Sequence, residues 1–110
     1  MFIDIIDLMD KIFKALADKN RRKILTLLKE NEMPVGQILK YFDNIGQATL
    51  SNHLAILKKA GLVSCRVFGK QRIYRLNLVL LVAFAENMRK FVGRLDESLI
   101  QEIAIRNQKV

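Results

Sequence analysis

Apolar residues recur at three- and four-residue steps along almost the whole of this chain, and the pattern breaks once, between residues 62 and 76, into a β-rich stretch. That change of period constrains the fold most. Side chains share a face every 3.6 residues on a helix and every second residue on a strand. The break reads Leu62-Val63-Ser64-Cys65-Arg66-Val67 and then Gln71-Arg72-Ile73-Tyr74-Arg75-Leu76, on either side of Phe68-Gly69-Lys70. A β-hairpin with a basic tip is expected there, inside a mainly α protein.

Upstream, Phe2, Ile5, Ile6, Met9, Ile12, Phe13 and Leu16 form the apolar stripe of a first helix, with Asp4, Asp7 and Lys11 opposite. Asp18 reads as the N-cap of a second helix, whose Ile24, Leu27 and Leu28 turn inward while Arg21, Arg22 and Lys29 turn outward; Asn31 and Pro34 end it. A short third helix is expected over residues 35–42, with Val35, Ile38, Leu39 and Phe42 inside, and Asp43-Asn44-Ile45-Gly46 forms a tight turn. The fourth helix runs from about Gln47 to Ala60. Leu50, Leu54 and Leu57 make its inner stripe, Ala48, Asn52, Ala55 and Lys59 its outer face, and Gly61 stops it. From Leu78 the helical pattern returns through Leu81, Phe84 or Ala85, Met88, Val92, Leu95, Leu99 and Ile103. Two helices joined by a tight turn, with a basic hairpin directly after, make a winged helix-turn-helix.

The 110 residues fit one domain, 1–110, with a helix over 1–17, a central body over 18–77 whose wing spans about 62–76, and a terminal helix over 78–110. Charge divides along the same lines. Of the formal +8, residues 18–77 carry twelve basic and four acidic side chains, while both ends sum close to zero. The middle is therefore expected to meet a polyanion and the ends something else. A chain this small is expected to cover the apolar surplus of its end helices with a second copy, through Ile5, Met9, Ile12, Phe84, Met88, Val92, Leu95 and Leu99. Its longest apolar run, from Leu78 to Ala85, is too short for a membrane span, and acidic residues stand where a secretory signal would be basic, so cytoplasmic residence is expected. One Cys and one His offer no intramolecular disulfide and no convergent catalytic set, which argues against an enzyme.

Three segments resemble the ArsR/SmtB family of bacterial repressors: Phe13-Lys14-Ala15-Leu16-Ala17-Asp18-Lys19-Asn20-Arg21-Arg22-Lys23-Ile24-Leu25, then Gln47 to Val63 with its Ser51-Asn52-His53-Leu54 and Ala60-Gly61-Leu62-Val63, then Gly69-Lys70-Gln71-Arg72-Ile73-Tyr74-Arg75-Leu76. The resemblance covers about Ile12 to Asn77 and departs at Gly46, where the family often has Ser. It implies a dimeric winged helix-turn-helix repressor of double-stranded DNA, with the fourth helix as the recognition helix. Short polar side chains at its start suit close approach to base edges, so Gln47, Thr49, Ser51 and Asn52 are the expected readers. Lys58, Lys59, Lys70 and Arg72 are expected on phosphates.

Blander roles compete at several positions. His53 is assigned to the DNA-binding set, although a His flanking an apolar stripe more often packs or meets phosphate than reads a base. Arg21 and Arg22 read as a solvated face or a network with Asp18, Tyr74 as wing core, Cys65 as a buried thiol rather than a redox switch, and Arg66 and Arg75 as strand decoration or phosphate contacts. Metal-sensing relatives use Cys pairs near the third helix or Asp/His/Glu sets on the last. Here Glu32-Met33-Pro34-Val35-Gly36 stands at the former place, and residues 78–110 hold neither His nor Cys. No metal or other cofactor is expected; an effector protein or a small molecule is left open. A protein-interaction module would place large apolar or acidic groups on the outer face of the fourth helix, which this chain does not.

Overall fold

The computed structural model describes residues 5–108, without the side chains at 98–100, 103, 107 and 108. Phe2 and Asp4 of the expected first helix, and the side chains of Leu99 and Ile103, lie outside that description. Helix α1 covers Ile5–Leu16 and α2 Lys19–Glu30; strand β1 is Met33–Pro34; α3 covers Val35–Leu39 and α4 Gln47–Lys59; β2 is Val63–Phe68, β3 Gln71–Leu76, and α5 runs Leu78–Gln108.

Local chemistry sets most of these boundaries. The Asp18 carboxylate accepts from the backbone N–H groups of Asn20 and Arg21 at 2.8 and 3.1 Å, capping α2 as expected, and these bonds hold its carboxyl below the usual range. After α4, Gly61 takes φ +81; its N–H donates to Lys58 O and that of Leu62 to Leu57 O, the paired bonds of a Schellman stop. Gly69 takes φ +61 at the first position of the two-residue loop between the paired Phe68 and Gln71, where a left-handed backbone favours glycine.

Two elements differ from the expectation. Helix α3 is three residues shorter, because Lys40, Tyr41 and Phe42 donate to the carbonyls three residues back and tighten into turns; Phe42 is still buried. The expected hairpin is two strands of a three-stranded antiparallel sheet of order β1-β3-β2, with Met33 opposite Tyr74 and Pro34 opposite Ile73. Pro34, which lacks an N–H, tolerates this because β1 is an edge.

The chain divides between Leu80 and Leu81 into two units. In the first, Ile12 and Ala15 of α1, Ile24, Leu25 and Leu28 of α2, Ile38 of α3, and Leu50, Leu54 and Leu57 of α4 close a core with Leu62, Val63 and Tyr74. Leu25 takes an inward place that the spacing gave to Leu27, which is half-buried. Ile12 corrects the expected dimer face: at 1% exposed it is consumed by the core of its own protomer, whereas Ile5 on the same helix is 67% exposed. The second unit is a helix whose surface carries the Glu86–Arg89 and Glu102–Arg106 ion pairs and exposes Val82, Phe91, Val92, Leu95 and Ile105. Along it Phe84 and Met88 are half-buried. No helix among the described residues is long and apolar enough to cross a membrane.

Candidate nucleic-acid interface

Helix α4 is preceded by Gly46 at its N-cap, which has no side chain, so no side-chain cap claims the first N–H groups of the helix. Leu50, Leu54 and Leu57 are fully buried and set which side of the helix faces the core. The opposite side exposes Ala48, Asn52, Ala55 and Lys59, the outer face expected from the spacing, together with Gln47, Thr49, Ser51 and Lys58.

Part of this face meets the wing. A cleft of about 970 Å³ is lined by Gln47, Ser51, Ala55 and Lys58 of α4, by Val35, Gly36 and Gln37 of α3 with Lys40, and by Lys70, Gln71, Arg72 and Tyr74 of the wing. Four cations and no carboxylate are found among its described lining residues, so the cleft is a positive, polar groove with a helix along one wall. Gln47, Ser51, Lys58, Lys70 and Arg72 thus line one cleft. Thr49, Asn52 and Lys59 are exposed on α4 but do not line the cleft.

His53 is the buried one among the expected DNA-binding residues. It is 8% exposed, and its Nδ1 stands 3.3 Å from the Arg21 guanidinium, so it faces the protein. Arg21 and Arg22 have the structural role, with different partners from those expected: their guanidinium groups donate to α1 carbonyls at Lys14, Ala15 and Leu16.

On the wing, antiparallel register places Val67 opposite Arg72 and Cys65 opposite Tyr74. Tyr74 is buried, as expected of wing core, and burial pushes its phenol up; Cys65 is only half-buried. Arg66 reaches Glu32 Oε1 at 2.6 Å and lies over the Phe68 ring, while Arg75 is exposed. Val67 and Phe68 at the tip are exposed.

Lys40 and Gln37 line the cleft although periodicity does not point to them. Helix α3 is too short to show a polar face by spacing, and the one signal in the sequence is the charge of Lys40 just past its last turn.

Residues 18–64 match the bacterial regulatory protein family arsR. The transcriptional repressor SdpR of Bacillus subtilis is 40% identical over 91 residues, covering 83% of this chain and all of that protein. The transcriptional activator HlyU of Vibrio cholerae is 33% identical over 79 residues, 72% of each chain. Among solved structures, the homodimeric winged helix-turn-helix DNA-binding domain formed by fragment 1–100 of a Mycobacterium bovis protein is 30% identical, with a TM-score of 0.66 over 84% of this chain and 86% of that one.

Proposed function

Since the chain belongs to the arsR family of bacterial regulatory proteins, we propose that it is a cytoplasmic repressor that binds an inverted-repeat operator in duplex DNA as a homodimer and needs no metal to do so. The observation that carries this reading is the cleft: short polar side chains of α4 open into the same groove as Lys40, Lys58, Lys70 and Arg72. Hydrogen-bonding groups at a helix start can read base edges, while flanking cations hold phosphates and set register. Repression rather than activation is favoured by the 40% identity to a repressor that this chain matches over that protein's full length.

Exposed apolar side chains on each terminal helix support a homodimer. Ile5 on α1 and Val92 and Leu95 on α5 are more than half exposed in the single chain, and Met9, Phe84 and Met88 are half-buried. The homodimeric Mycobacterium bovis neighbour points the same way. Two-fold symmetry presents two recognition helices to successive major grooves about 34 Å apart, which calls for an inverted repeat. Independence from metal rests on donor chemistry: soft transition metals prefer thiolate and imidazole, and this chain has one of each, with the imidazole already engaged by Arg21.

The test is fluorescence anisotropy on duplex DNA from immediately upstream of its own gene and on random duplex of equal length. A preference of about a thousandfold or more for the upstream repeat is the expected result. Equal affinities would remove operator recognition and leave only non-specific binding.

A further inference from the structure

Arg21 does more than close the end of a helix. The last carbonyls of a helix have no partner within it. Here the Arg21 Nε donates to Ala15 O at 2.8 Å and its Nη2 to Lys14 O at 2.8 Å, so two of its arms serve α1. Its third arm leaves α1 altogether: Nη1 lies 3.3 Å from Nδ1 of His53, thirty-two residues away on α4. A guanidinium has donors only, so in this contact Nδ1 is the accepting nitrogen. Asp18, at the same α1–α2 junction, caps α2 and thereby fixes the backbone from which Arg21 projects.

We propose that Arg21 is a positioning residue for DNA recognition: by bridging the C-terminal carbonyls of α1 to His53, it holds the reading face of α4 at a fixed rotation relative to the first helix. His53 sits one residue after Asn52 and two after Ser51, both exposed, so a small roll of α4 at His53 moves those side chains directly. The rigid planar fork of arginine is what allows three bonds to be held at once; a lysine ammonium keeps the charge but cannot reproduce that geometry. Placing hydrogen-bonding groups against base edges is sensitive to such rotation, while phosphate contacts by flexible lysines are not.

This inference rests on α4 being the recognition helix, and the experiment separates the two. Operator and random-duplex affinities are measured for the full chain and for His53→Leu, His53→Asn, Arg21→Lys and Lys70→Ala, each alongside a thermal melt. His53→Leu retains bulk and the α1 carbonyl bonds but removes the acceptor, and Asn restores an acceptor near the Nδ1 position. Expected is an operator-affinity loss of about tenfold in His53→Leu and in Arg21→Lys, the size of one hydrogen bond to a charged group, with random-duplex affinity unchanged and with recovery in His53→Asn. Wild-type operator affinity in a folded His53→Leu or Arg21→Lys overturns the positioning role. So does a loss shared equally by both DNAs, or failure of His53→Asn to recover. Should the unmodified chain show no operator preference while Lys70→Ala still weakens binding, α4 is not a reader and both readings fall.

Discussion

Glu32 and Arg66 meet at 2.6 Å across the end of the sheet, joining the residue just before β1 to the middle of β2 with β3 between them. The Arg66 guanidinium holds the Glu32 carboxyl below its ordinary 4.5, and Glu32 raises Arg66 in turn. Because the folded carboxyl is depressed, its stabilisation is present above about pH 4.5 and is lost as pH falls through the folded value. Both side chains are substantially exposed, so the effect is small and screened by salt. Glu32→Gln should melt slightly below the parent at neutral pH, with the gap closing in acid. A gap that persists in acid would assign the stabilisation to packing rather than to the ion pair.

Gly61 is a backbone prediction. At φ +81, and with a Cβ built there 3.0 Å from Leu80 Cδ2, Gly61→Ala meets both left-handed strain and a side chain that must move. A loss of roughly 1–2 kcal/mol is expected from the backbone alone. Gly36→Ala is the control, because its Cβ would meet nothing within 4 Å. Urea unfolding should shift the midpoint for Gly61→Ala without changing the slope, and leave Gly36→Ala at or above the parent.

These positions also show where sequence legibility ended. Helix α4 could be read from Leu50, Leu54 and Leu57 with Gly61 behind them, because three buried leucines and a stop signal admit one rotation and one end. Strand β1 could not, since two residues cannot display alternation, and Pro34 reads as a breaker unless its pairing with Ile73 is known. Ile12 and Phe13 belong to one apolar stripe, yet Ile12 is buried and Phe13 is 44% exposed: a stripe wider than its neighbour covers does not say which edge points inward. The pairing of His53 with Arg21 could not be read, because the two lie far apart in the chain and meet only in the fold.

A charge in the apolar seam of α5 tests the dimer. Leu95 is 53% exposed in the single chain, so Leu95→Glu should leave protomer folding intact while placing an unpaired carboxylate in a dimer contact. Sedimentation at micromolar concentration should show monomer for the variant and dimer for the parent. A parent that sediments as a monomer removes the terminal-helix interface altogether.

Zinc and chelators should leave operator affinity unchanged. Among the described residues no group of three or more His, Cys, Asp or Glu side chains is placed to hold an ion. An affinity shift of about tenfold on adding stoichiometric zinc, equivalent to about 1.4 kcal/mol of coupling, would reveal a site assembled between protomers.

Readers and clamps should differ in kind. Asn52 is exposed near the start of α4 and outside the cleft, while Lys70 lines the cleft at the wing tip. If Asn52 faces a base edge, Asn52→Ala lowers operator affinity by roughly 1–3 kcal/mol and barely alters random-duplex affinity. If Lys70 and Arg72 hold phosphates, replacing either weakens both DNAs alike and makes the slope of log K against log salt shallower by about one for each phosphate released. Lys40→Ala should behave like Lys70→Ala, since it lines the same groove from α3's end, and this extends the clamp to a residue that sequence periodicity passed over. Salt titrations of the three variants on both DNAs decide the matter. Equal losses in Asn52→Ala together with an operator-only loss in Lys70→Ala would exchange the two roles, and wild-type binding in all three would move the DNA surface off this face of the molecule.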